Sequence, residues 1–249
     1  MLGFDIGFWL LAILAVWVTG VSKSGFAGGV GVIAVPLLAL YIDPRQAAAI
    51  MLPLLVLMDA VSMRAWWGKL NVVQYKRLLA PATLGIAIGY FTFDLLNAEL
   101  IKMVLGVLSI VFCLWGFASN IQLGPTRTGN LWLARLCGTI TGFTSFLAHA
   151  GGPPLNLYLL PLRLPRPEYL ATVIFTIATV NLIKLIPYAA LGQLNVDNLL
   201  ISLILMPVAW LGAKYGIKLQ ALISDLWFYR IIYSALGLIG VKLLFDVLV

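Results

Sequence analysis

The chain has 249 residues, of which 62% are hydrophobic and only 10% charged, and its mean hydropathy is +1.04. Soluble domains carry about 25% charged residues, so a soluble fold is excluded and the bilayer has to solvate most of the outer face. The formal charge of +7 could mark a nucleic-acid partner, but in a membrane protein it reflects basic cytoplasmic loops, and the positions of the bases below favour that reading.

Apolar runs cover 4–22, 26–42, 46–66, 78–95, 99–119, 131–147, 152–162, 168–190, 199–217 and 227–248. Most have the ~20 residues that a helical crossing needs. The first run has Asp5 as its only charge, so it lacks the basic start of a secretory signal. Runs 4–22 and 26–42 are split by Lys23-Ser24-Gly25. As one helix they would reach roughly 50 Å at about 1.5 Å per residue, against a hydrocarbon core of about 30 Å. The pair therefore either re-enters as a hairpin or crosses twice, and both choices return the chain to its starting side. The third run contains Asp59. The longest polar stretch runs from Asn120 to Asn130, near the middle. Run 131–147 then meets a second glycine-rich break, and run 152–162 is too short to cross, which favours hairpins. Run 168–190 carries Asn181 and Lys184. Cys113 and Cys137 lie in apolar runs, which excludes a disulfide framework or a CxxC metal site.

The two halves resemble each other. Gly28-Gly29 matches Gly151-Gly152, Gly68 to Val72 matches Gly192 to Val196, Pro81, Gly85 and Gly89 match Pro207, Gly212 and Gly216, and Gly106 matches Gly237. This predicts one transmembrane domain built from repeats 1–120 and 131–249, a common plan of secondary transporters. With each opening pair returning to its side, each half makes an odd number of net crossings and the repeats are inverted. One side then receives Arg64, Lys69, Lys76, Arg77, Arg127, Arg135, Arg163, Arg166, Lys214, Lys218 and Arg230. The other receives Arg45, Lys102 and Lys242, with Lys184 nearby. Parallel halves would split the bases evenly. The asymmetry predicts both termini outside the cytoplasm.

The breaks, Gly20 to Gly29 and Gly142 to Pro154, are the candidate binding site. Glycine pairs let backbone unwind and approach a ligand, and irregular backbone at membrane depth survives only inside protein or beside a wet cavity. The helix after each break would offer free N–H groups to an anion, with Pro153 suited to a helix start. Gly25, Gly28, Gly29, Gly151 and Gly152 supply backbone; Ser22, Ser24, Thr144, Ser145 and Asn156 supply side-chain donors. Lys23 could neutralise an anion, and His149, the one histidine, could carry a proton or donate a hydrogen bond. Asp59, Asn181 and Lys184 are polar groups within spans, which mark pathways or intramembrane pairs. The competing reading is that the glycines only allow close helix packing.

The KSGFAGG string (residues 23–29), the later Pro36 and the GF…GGPP string of the second break resemble the sulfite exporter TauE/SafE family, and the resemblance extends over nearly the whole chain. It implies an all-α polytopic secondary transporter in the bacterial inner membrane. The cargo would be a small sulfur-containing anion of the sulfite, sulfonate or sulfoacetate class, often exported, with proton coupling as a further option. The expected partners are that anion and the lipid bilayer, with no cofactor and no metal; a homodimer is compatible with the sequence. A passive channel for the same anions is the alternative. An intramembrane enzyme has little to build with, since one histidine and no acidic cluster leave no catalytic set, and no Walker motif is present.

Overall fold

The computed structural model describes residues 4–27, 34–38, 41–92, 99, 103, 106, 107, 110, 113, 114 and 128–248. Among these the secondary structure is helical: α1 Ile6–Gly25, α2 Ala34–Leu38, α3 Pro44–Ala65, α4 Val72–Phe91, α5 Leu131–Ala148, α6 Gly152–Leu159 with a 3-10 turn Leu160–Leu162, α7 Arg166–Ala190, α8 Val196–Ala221 and α9 Asp225–Leu248. Five of them, α1, α3, α5, α7 and α8, are long and apolar enough to cross a membrane. The protein is a multi-pass membrane protein. Most of the run 99–119 lies outside the described residues, as do Asp94, Lys102 and Arg127.

Helix starts are set by short polar side chains that accept the first free backbone N–H groups. Asp5 caps Phe8 at 2.8 Å, Asn71 caps Gln74 at 3.0 Å, Asn130 caps Trp132 at 2.8 Å and Asn195 caps Asn198 at 2.9 Å. The turns before α4 and α8 each contain a glycine in the left-handed region, Gly68 at φ 76° and Gly192 at φ 67°, where any side chain would be strained. Cap and glycine thus recur together at the two places the sequence comparison pairs.

The outer face is apolar, as lipid requires: Ile6, Leu10 and Leu14 of α1 are exposed at one-turn spacing, whereas Ala12, Val16, Thr19 and Lys23 are buried. Inside, packing is reciprocal. The first helix of each half lies on the fourth helix of the other, α1 on α8 and α5 on α4. Both contacts rest on small residues that let backbones touch. A Cβ on Gly20 would come within 2.9 Å of the Ala213 nitrogen, and one on Gly25 would overlap the Gly216 carbonyl. In the other pair a Cβ on Gly85 would overlap the Thr139 carbonyl, and one on Gly142 the Ala82 carbonyl. Residue numbers rise together along both contacts, so each pair is parallel.

Contacts at the helix starts fall into two groups. Tyr41, which follows α2, lies against Gly7 and Phe8 at the beginning of α1, with the Phe8 and Tyr41 rings 6.2 Å apart. Gln46 at the start of α3 donates to Asn198 at the start of α8 at 3.1 Å. At the far end of α3, Asn71 before α4 donates to Glu168 of α7 at 2.6 Å, and Arg77 of α4 donates to the Gly129 carbonyl just before α5 at 3.1 Å. Tyr158 of α6 also returns to this end: its hydroxyl meets Gln74 at 2.5 Å and lies against Gly129.

Candidate functional site

The breaks are shorter than the glycine content suggested. Helix α1 continues through Gly25, and α5 through Ala148. Ser22, Lys23, Ser24, Gly25, Thr144 and Ser145 therefore sit in last helical turns rather than in unwound chain. The reason lies in the packing just described: Gly20 and Gly25 make room for α8, and Gly142 makes room for α4, without leaving the helix. Unwinding begins at Phe26 in the first half and at His149 in the second. Ala27 and His149 both adopt φ 53°, a left-handed conformation that costs a non-glycine residue about 1–2 kcal/mol. Gly28 and Gly29 lie outside the described residues.

Around these turns six polar side chains from four helices form two adjacent hydrogen-bonded groups, buried except for the half-buried His149. Lys23 of α1 donates to Asp59 of α3, with Nζ 2.9 Å from each carboxylate oxygen. Asn181 of α7 donates to the same carboxylate at 2.7 Å. Three residues further along α7, Lys184 donates to the Ser145 carbonyl at 2.8 Å and to the Ser145 hydroxyl at 3.0 Å, and its Nζ lies 2.8 Å from His149 Nδ1. His149 Nε2 then donates to the Ala48 carbonyl of α3 at 2.8 Å. Lys184 is fully buried and Lys23 and Asp59 nearly so, so neither lysine reaches the surface by snorkelling. Asp59 serves as the intramembrane partner of Lys23.

Two lysines and one carboxylate share the site, so amines outnumber acids there. Lys184 has no carboxylate within ion-pair distance among the described residues, although Asp59 is within electrostatic reach. Next to this network is a cavity of about 40 Å³, lined by Thr19, Lys23, Ser145, His149, Gly152 and Asn181 together with apolar side chains. At ~10–15 Å³ per water it holds about three.

The other predicted residues stand nearby or serve the scaffold. Ser24 Oγ lies 2.7 Å from Ser62 Oγ of α3, itself 2.7 Å from the Met58 carbonyl. Ser22 is buried, and its carbonyl accepts from Phe26 N at 2.8 Å. The Thr144 hydroxyl lies 2.8 Å from the Ile140 carbonyl and 3.0 Å from that of Ala150, holding the second break closed. Gly151 packs on Ser145. Asn156 accepts from the Tyr169 hydroxyl at 2.8 Å, while its Nδ2 has no partner among the described residues. Sequence reasoning passed over Thr19 and Ser62, although each is a hydroxyl within an apolar run; the Ala48 carbonyl carried no signal at all.

A family model described as sulfite exporter TauE/SafE matches residues 12–243, which include every residue of this network. The chain belongs to the sulfite exporter TauE/SafE family. Neither a curated protein nor a solved structure shows a match to it. The family is one of membrane exporters.

Proposed function

We propose that this protein is a secondary active transporter that exports a small sulfur-containing anion, of the sulfite, sulfonate or sulfoacetate class, through the cavity between the two breaks. The observation that carries this is the burial of two lysines, Lys23 and Lys184, with a single carboxylate, Asp59, beside the cavity. An oxyanion in the cavity meets Lys23, Asn181, Ser145 and His149, which line it, and its charge compensates that of a protonated Lys184 held on Ser145 and His149. An anion also competes with Asp59 for Lys23, so loading and unloading rearrange contacts between α1, α3 and α7.

Two inverted repeats, 1–120 and 131–249, supply the moving parts in this reading. Asp59 and Asn181 are 122 residues apart and hydrogen-bonded to each other. The same spacing separates Ala27 from His149, Lys23 from Ser145 and Ser62 from Lys184. This spacing is close to the 123 and 124 that separate Gly28 from Gly151 and Gly68 from Gly192, and it supports a binding site at the repeat interface, as in other repeat-built transporters. The return of Tyr41 to the start of α1, and of Tyr158 to the start of α5, supports re-entrant hairpins. The positions of Arg77 and Gly129 support an α5 that starts at the opposite end from α1. The bias of the basic residues supports a cytoplasmic start of α5 and termini outside the cytoplasm.

The test is efflux from proteoliposomes loaded with labelled sulfite, taurine, sulfoacetate, thiosulfate or sulfate. The expected result is protein-dependent release of at least one, reduced at least tenfold in Lys184→Ala. Release no faster than from protein-free vesicles, for every anion, would end the transport reading; wild-type rates in a folded Lys184→Ala protein would end the proposed site. An imposed proton gradient that shifts steady-state accumulation separates a coupled carrier from a channel.

A further inference from the structure

The chain carries a second cationic cluster, away from the transport network. Lys76 and Arg77 in the early turns of α4 and Arg135 in the early turns of α5 line an open cleft of about 580 Å³ between these helices. Because α4 and α5 run parallel, all three cations gather at one end, the end shared by the basic residues of the chain. No acidic residue among the described residues lines the cleft. The wall then continues along α4 through Ala80, Pro81 and Leu84. From Lys76 to Leu84 is about 12 Å of helix at about 1.5 Å per residue, and Leu84 is exposed on the lipid-facing surface.

This order, cations at the membrane surface and an apolar groove below, matches a molecule with a charged phosphate and a hydrocarbon tail. Trp132, exposed beside the cleft and within 5.2 Å of the Arg135 guanidinium, marks the interfacial level. The comparable parallel contact, α1 on α8, has no such cluster: residues 9–17 and 198–207 contain no lysine or arginine. Cations confined to one of two similar grooves are not a requirement of the packing.

We propose that the α4–α5 cleft binds the phosphate headgroup of an anionic phospholipid of the surrounding leaflet, with an acyl chain along Ala80, Pro81 and Leu84. Basic pockets between spans on the cytoplasmic side recognise such headgroups. The proposal stands apart from the nature of the transported anion.

The test uses the full chain in detergent, titrated with phosphatidylglycerol, with phosphatidylcholine and with inorganic phosphate, read by native mass spectrometry and thermal shift. Phosphatidylglycerol is expected to bind and stabilise, the other two to do so weakly. Lys76→Gln/Arg135→Gln should weaken phosphatidylglycerol binding about thirty-fold, from about five-fold per cation near a charged headgroup. Arg77 is left in place because it holds Gly129. Leu84→Trp fills the apolar groove with the cations intact, and should weaken the lipid but not inorganic phosphate. Equal binding of both lipids, or unchanged phosphatidylglycerol binding in both variants, overturns the proposal. Phosphate alone reproducing the full effect replaces the lipid with a free anion and overturns it as well.

Discussion

Asp59→Asn isolates the charge of the buried pair. The substitution keeps the shape, and the new carboxamide oxygen can still accept from Asn181, which donates to Asp59 at 2.7 Å. What disappears is the negative charge 2.9 Å from Lys23 Nζ. Removing one partner of a buried ion pair costs about 3–5 kcal/mol, because the other charge is left uncompensated. For a chain of 150–250 residues, 1 kcal/mol moves the melting temperature about 2–4 °C, so the expected fall is roughly 6–20 °C in detergent. Lys23→Met/Asp59→Asn removes both charges and should recover most of the loss, since replacing a buried pair by uncharged groups is often neutral. Melting curves of wild type, the single variant and the double variant form the assay. A single variant that melts within a degree or two of wild type would refute the pair as a structural element. A double variant as unstable as the single would show that shape, not charge, matters at Asp59.

Other outcomes follow from the same geometry. Gly142→Ala places a methyl against the Ala82 carbonyl and should destabilise by about 1–3 kcal/mol; an unchanged melting temperature would mean that α4 and α5 separate at little cost. Asn195→Ala removes the cap of α8 and should cost about 1 kcal/mol, seen as faster amide exchange in residues 196–199. Single cysteines at Asp5 and Thr128, in a Cys113→Ala/Cys137→Ala background, should react with an impermeant thiol reagent from opposite faces of the membrane. Labelling from one face would overturn inverted repeats.

The helices and the turn glycines Gly68 and Gly192 could be read from the sequence, because each depends on local chemistry: apolar length, or a residue tolerant of positive φ. Where the helices break could not. Glycine serves both to unwind a helix and to admit a neighbouring backbone, and only the presence of α8 beside Gly20 and Gly25 shows which use applies. The network residues were visible one at a time as polar groups in apolar runs, yet their pairing was not, since Asp59 meets Asn181 across 122 residues and Lys184 meets Ser145 across 39. The sequence offers Lys23 as a group that could neutralise an anion among several donors. The structure pairs it with the Asp59 carboxylate, while Lys184, on the other half, has no carboxylate within ion-pair distance among the described residues.

The exchange of helices between halves bears on how the chain is made. Helix α1 packs on α8, whose first residue is synthesised roughly ten to thirty seconds later at 5–20 residues per second. Until then the flank of α1 that carries Gly20 and Gly25 faces lipid or the translocation machinery. Its lysine waits less: Asp59 follows only 36 residues behind Lys23. An early α1–α3 contact would neutralise the ammonium group within the nascent chain and let α1 stay in the bilayer long before the helix that covers it emerges. Neither half closes its own interface, so assembly of this protein is complete only when its second half has been inserted.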